Sequence, residues 1–323
     1  MELFSAEILQ ELHKVERGLI DSVKSKNSLL ESESIRMINA GGKRLRPAIL
    51  INSAKFGQYD EQKVIDLSVA LELLHLATLI HDDVVDEADI RRGNKSTHKL
   101  YGNKIAIFTG DFLVTKSVLL LSKYSHKDIK VFSSKHIARA LKNICEGEVE
   151  QYQSRFKIDV TVNQYLKRIK YKTALLFTLA CQLGAEVSDC DKKTTKYLKN
   201  FGMAFGTAFQ IQDDLLDFQG KKDKLGKPIL HDIKAGVYTL PVIYGINSDK
   251  YGESLVNLLT ENLNDDRLNH IIKIIEKSGG IDYSIKLLNE YIKRAEKWIN
   301  KLPNNKYRDS LQGIITNLIN REK

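Results

Sequence analysis

Residues 61–86 read EQKVIDLSVALELLHLATLIHDDVVD, and this stretch decides the fold class. Val64, Leu67, Ser68, Leu71, Leu74, His75, Thr78 and Asp82 recur at three- and four-residue intervals, the spacing that lines up side chains along one stripe of an α-helix. The pattern predicts a helix over Glu61 to Val85. It returns around Ile105–Tyr124, Asp128–Gln153, Val162–Leu183, Lys193–Phe218, Leu255–Lys277 and Ile281–Asn300. Alternating runs of β-branched residues between turn pairs are missing, which argues against a parallel sheet. Turn signals fall at Ala40-Gly41-Gly42, Arg92-Gly93-Asn94, Gly220–Pro228, Ser278-Gly279-Gly280 and Pro303-Asn304-Asn305, and none is long enough for an interdomain linker. The expectation is an all-α chain forming a single helical domain over residues 1–323.

The chain has 323 residues, 42% of them hydrophobic and only 4 of them proline, so it is too apolar to be disordered and long enough for a real core. Its 3 cysteines, Cys145, Cys181 and Cys190, make neither a disulfide framework nor metal-ligand spacing, which fits a reducing cytoplasm. The first residues, Met-Glu-Leu-Phe-Ser-Ala-Glu, have no basic segment followed by an apolar one, so no secretory signal is expected. The longest apolar run, around Ala174 to Ala185, is interrupted by Thr178 and Gln182. It falls short of the roughly 18–20 residues of a membrane span. A net charge of +9 leaves nucleic acid, an anionic membrane or a phosphorylated small molecule as partners. Lys and Arg are dispersed, without the basic run or stripe that marks a nucleic-acid binder, so no nucleic acid is expected.

The end of the opening stretch, His81-Asp82-Asp83-Val84-Val85-Asp86, recurs in outline as Gln212-Asp213-Asp214-Leu215-Leu216-Asp217, 131 positions later. At about 100° per residue, Asp82, Asp86 and Asp83 fall near 0°, 40° and 100°, so three carboxylates share one helix face. Asp213, Asp217 and Asp214 do the same. Three anions on the C-terminal turn of a helix oppose both one another and the helix dipole. As an exposed acidic patch, one such motif would mean little. Two copies embedded in apolar sequence point to a bound cation, and an all-oxygen donor set favours Mg²⁺ over zinc. Mg²⁺ commonly shares its coordination with water and substrate phosphates. Cations suited to phosphate stand nearby, in the glycine-opened turn Gly41-Gly42-Lys43-Arg44-Leu45-Arg46-Pro47 and in Arg91-Arg92-Gly93.

With these motifs the chain resembles the trans-isoprenyl diphosphate synthases of the polyprenyl synthetase family. The matching residues continue through Gly147-Glu148, Lys172-Thr173, Phe209-Gln210-Ile211-Gln212-Asp213-Asp214, Gly226-Lys227-Pro228 and Lys234, in family order over roughly residues 40–240. The resemblance implies an all-α bundle around a deep central cavity and usually a dimer, in some members with a distinct second subunit. It implies ionisation of an allylic diphosphate such as farnesyl diphosphate, attack by isopentenyl diphosphate and loss of a proton. Asp82, Asp86 and Asp213 would be the strongest Mg²⁺ ligands, with Asp83, Asp214 and Asp217 as ligands or supports. Arg91, Lys172, Lys227 and Lys234 would hold the allylic diphosphate, and Lys43, Arg46, His75 and Arg92 would hold isopentenyl diphosphate. Thr173 and Gln210 would stabilise the allylic cation with neutral dipoles. The fifth and fourth residues before Asp82, Ala77 and Thr78, are small, where aromatic residues accompany short products in the family. The expected product is therefore longer than farnesyl. The terminal Asn320-Arg321-Glu322-Lys323 resembles the basic tail of some members. A cyclising or head-to-head terpenoid synthase would also ionise allylic diphosphates, but typically lacks the Gly-Lys-Arg-Leu-Arg-Pro turn. A non-catalytic subunit usually loses the aspartates that this chain keeps. A basic helical adaptor accounts for the charge but for none of the motifs. A short-chain, geranylgeranyl-type synthase and the catalytic subunit of a heteromer remain alternatives within the reading.

Overall fold

The computed structural model describes residues 4–124, 134–219, 230–260 and 263–319. Within them run α1 (Ala6–Ser22), α2 (Ser28–Asn39), α3 (Leu45–Ala54), α4 (Glu61–Val85), the strands β1 (Ile90–Arg91) and β2 (Asn94–Lys95), α5 (Thr97–Ser122) and α6 (Ser134–Gln153). There follow α7 (Val162–Ile169), a π-helical turn over Lys170–Ala174, α8 (Leu175–Val187), α9 (Lys192–Gln219), α10 (His231–Lys234) and α11 (Leu240–Ile246). The last helices are α12 (Gly252–Thr260), α13 (Asp265–Lys277), α14 (Gly280–Ile299) and α15 (Lys306–Ile319). The all-α expectation holds, and the architecture is of the isoprenoid synthase type.

The residues sort into two compact units. One comprises Met1–Ala138, Leu176–Asn200 and Trp298–Ile314; the other comprises Arg139–Leu175, Phe201–Lys297 and Ile315–Lys323. In the first, α4 packs along α5 and against α1 and α3. Asp60 caps the start of α4 by accepting the Lys63 N–H at 3.2 Å. From Val64 to Ile80 every residue is buried except Asp66, His75, Thr78 and Leu79. A helix apolar nearly all round belongs inside, and α4 is this unit's core.

By length and composition both α4 and α5 could cross a membrane, contrary to the run length read from the sequence. The isolated polar residues of α4 hide a window that is apolar on average. For α4, 72% of that window is buried within the structure, which is the signature of a core helix. In α5 the share is 33%, and Ile107, Phe108, Val118 and Leu119 lie exposed along it.

In the second unit, α11 packs on α7, α12 and α13. The stretch read as one helix over Val162–Leu183 is two helices joined by the π turn. That over Leu255–Lys277 is also two, with Asn264 capping α13 through the Arg267 N–H at 2.9 Å. The hairpin β1–β2, too short to show a strand period, pairs Ile90 with Lys95 and Arg91 with Asn94. Its turn residues Arg92 and Gly93 have φ of 51° and 77°, the two positive values that a tight two-residue hairpin requires.

Candidate active site

In the first unit the site begins where α4 ends. The partly exposed residues on its last three turns include His75, Thr78, Leu79, Asp82 and Asp86, which fall within about 100° of one another around the axis. The helix is thus sealed on its other faces in the stretch before the motif and open along one strip that finishes in two carboxylates. The Asp86 N–H closes the helix onto the Asp82 carbonyl at 2.8 Å. Asp83 turns the other way. It is 1% exposed, and its Oδ1 accepts from Arg91 Nε at 2.7 Å and from Arg91 Nη2. The hairpin therefore hands Arg91 back to the aspartate motif that precedes it.

The glycine-opened turn meets the same hairpin. Gly41 and Gly42 have φ of 80° and 149°, and a Cβ on Gly42 would lie 2.9 Å from Arg92 Nη2. The positive φ of both residues favours glycine, and a side chain at Gly42 would push the Arg92 guanidinium aside. Arg46 stacks over the Phe177 ring at 4.6 Å, and Lys43 stands exposed. Burial, and then the charges of Arg46, Arg92, Arg44 and Arg91, hold the His75 imidazole well below its ordinary pKa. Four guanidinium groups thus bear electrostatically on one neutral imidazole, two of them, Arg91 and Arg44, already paired with carboxylates of the chain.

Arg44 belongs to this cluster but is buried away from ligands. In left-handed backbone at φ 45°, it is clasped by Glu16 at 2.5 and 3.2 Å, Glu72 at 3.0 Å and the Ile38 carbonyl at 2.8 Å. No motif spacing in the sequence marks this anchor. Glu72, a carboxylate inside an apolar helical run, was the available signal.

The second unit repeats the design on α9. Phe209, Gln210, Asp213, Leu216 and Asp217 are half-buried on one strip, while Asp214, at 5% exposure, points inward. Its Oδ2 accepts from the Tyr165 hydroxyl at 2.6 Å and its Oδ1 from Gln210 Nε2 at 2.8 Å. Burial, and then Asp232, push the Asp214 carboxyl up to about 7, against the pull of these two donors. The π turn carries Lys172 and Thr173. Lys172 Nζ stands 3.4 Å from Glu148, and the Thr173 hydroxyl donates to Gln210 Oε1 at 2.5 Å. Beside Glu148, a Cβ on Gly147 would press to 2.8 Å of the Tyr171 Cβ, so the glycine lets α6 approach the π turn. Lys234 is exposed at the end of α10, and Lys227 lies outside the described residues. Nothing in the sequence pattern singled out Tyr165.

The sequence pattern of a family described as Polyprenyl synthetase matches residues 27–275. The chain belongs to the polyprenyl synthetase family. Among its relatives, the Bacillus subtilis (strain 168) protein named heptaprenyl diphosphate synthase component 2 is 35% identical over 300 residues, covering 93% of this chain and 85% of that one. The crystal structure of heptaprenyl diphosphate synthase from Staphylococcus aureus superposes with a TM-score of 0.91 at 35% identity, over 98% of this chain and 99% of the other. That of polyprenyl synthase from Caulobacter crescentus CB15, complexed with calcium and isoprenyl diphosphate, gives 0.88 at 28% identity over 100% of both chains. As a polyprenyl synthetase, this protein is a prenyltransferase.

For a polyprenyl synthetase, the donor set fits a hard divalent ion. Asp82, Asp86, Asp213 and Asp217 are half-buried carboxylates at the ends of open strips. Among the described residues, no group of three or more His, Cys, Asp and Glu side chains forms a ready metal cage. An ion held by one or two carboxylates here would complete its coordination with water and ligand oxygens, as Mg²⁺ does.

Proposed function

We propose that the protein, as a single polyprenyl synthetase domain over residues 1–323, condenses isopentenyl diphosphate with a short allylic diphosphate to make a trans-polyprenyl diphosphate longer than farnesyl. The carrying observation is the open strip of α4, on which His75, Thr78, Asp82 and Asp86 share one face beside the guanidinium cluster. Asp82, Asp86, Asp213 and Asp217 would hold Mg²⁺, which when bound neutralises charge building on the departing diphosphate. Lys43, Arg46 and Arg92, beside a neutral His75, suit the diphosphate that must be held without being expelled. Arg91, oriented by Asp83, suits the allylic one, as do Lys172, Lys227 and Lys234. Asp83 and Asp214 act from behind the strip as supports. Thr173 and Gln210 offer neutral oxygen lone pairs to the allylic cation, where a carboxylate would capture it. Thr78, half-buried on the strip, is the better candidate for the wall that meets the growing chain; Ala77 is 0% exposed and off the strip.

The names of the two heptaprenyl diphosphate synthase relatives support a medium or long product. A second reading, the catalytic subunit of a cytoplasmic heteromer, draws on the relative named component 2 and on the exposed apolar side chains of α5, which suit a subunit partner, a second copy or a different chain. The test is product analysis of the purified protein with Mg²⁺, labelled isopentenyl diphosphate and farnesyl diphosphate, with EDTA as control. Magnesium-dependent chain growth beyond farnesyl supports the main reading. Folded protein that makes no product alone, but does so with a second subunit, supports the other.

A further inference from the structure

Tyr165 lies on α7 outside every motif, yet it is fully buried and its hydroxyl meets the second aspartate motif. Both carboxylate oxygens of Asp214 act as hydrogen-bond acceptors here. Asp214 Oδ2 is held by the Tyr165 hydroxyl, so Oδ1 is left to receive the Gln210 amide nitrogen at 2.8 Å. That fixes which way the amide faces, with its oxygen toward Thr173. The Thr173 hydroxyl then gives its hydrogen to Gln210 Oε1. At the end of this chain Thr173 has spent its one hydrogen, and both it and Gln210 have lone pairs left for a ligand. A hydrogen facing a carbocation would repel it, whereas a lone pair attracts it. The π turn takes part, since its wider winding carries Thr173 between two regular helices, and such turns recur at functional sites.

We infer that Tyr165 is a positioning residue for cation stabilisation: through Asp214 and Gln210 it sets the polarity of the dipoles that Thr173 and Gln210 present to the allylic cation. The inference rests on the function proposed above. Removing the phenolic donor leaves the carboxylate one donor short, free to rotate and release the amide.

The test is Tyr165→Phe in the full chain, with two ligands measured by calorimetry. One is an ammonium analogue of the allylic cation and the other an unreactive, uncharged-tail allylic thiolodiphosphate. The expected result is a kcat about ten- to a hundredfold lower, with KM for both diphosphates changed by less than about threefold. The ammonium analogue should lose affinity by a similar factor and the thiolodiphosphate should not. Should Tyr165→Phe fail to fold, Asp214→Asn cuts the same chain while keeping the phenol ring in place, and must show the same split. Unchanged kcat, or equal loss of both analogues, overturns the role of Tyr165. Wild-type protein that neither turns over nor binds either analogue overturns the proposed function itself.

Discussion

Arg44 and Arg46 stand in one turn and serve different ends. Arg46 lies over Phe177 within the cationic cluster, whereas Arg44 is spent on Glu16, Glu72 and a carbonyl. Breaking a buried ion pair by removing one partner commonly costs about 3–5 kcal/mol. Arg44→Ala should therefore lower stability by that order in denaturant titrations, while exposed Lys43→Ala should leave stability within about 0.5 kcal/mol and raise KM for isopentenyl diphosphate. The pH response turns on His75. Its folded pKa lies well below its ordinary 6.5, so on acidification the unfolded chain takes up the proton first. The His75 contribution to stability should fall between pH 7 and pH 5, so urea midpoints of His75→Asn should fall less over that range, or rise more, than those of the wild type. Asp214 opposes it: with a carboxyl pushed up to about 7, it adds stability in acid that is lost as pH rises through that value. In the sequence, the charges at fixed spacing made the motif residues legible. The inward turn of Asp83 and Asp214 was not, because it depends on Arg91 and Tyr165, and nothing in the local spacing ties either to its aspartate.

Among elements, α4 and α9 were read nearly to their ends, since a long buried helix writes its period plainly. The Val162–Leu183 reading failed at the π turn because one residue of extra winding leaves the apolar pattern almost intact. The hairpin escaped because two residues per strand cannot show alternation. Close helix approach is just as silent in the pattern, and Gly184 shows it. A Cβ there would stand 2.2 Å from the Leu50 carbonyl oxygen, so α8 and α3 touch backbone to side chain-free backbone. Gly184→Ala should destabilise by about 2–3 kcal/mol, as overpacking does. Gly313→Ala, with nothing within 4 Å of the new methyl, should not, and thermal melts of the pair decide the point.

At the scale of the molecule, the exposed side chains of α5 and the net charge of +9 bear on assembly. Phe108→Glu combined with Leu119→Glu should lower the mass found by light scattering if a second copy covers this face. If a different chain covers it, the same change should abolish activation by that chain without altering the mass of the protein alone. The composition gave no hint of this surface, because periodicity shows which residues can be buried and not which partner buries them. On α4 the core and the chemistry share a helix, but Leu76, Ala77 and Ile80 are sealed while Thr78 faces the strip. Under the proposed reading, selection acting on product size finds one side chain that can grow or shrink without repacking its neighbours. Lineages that diverge in the lipids they make could then do so by small steps at that position, with an ancestral scaffold left standing.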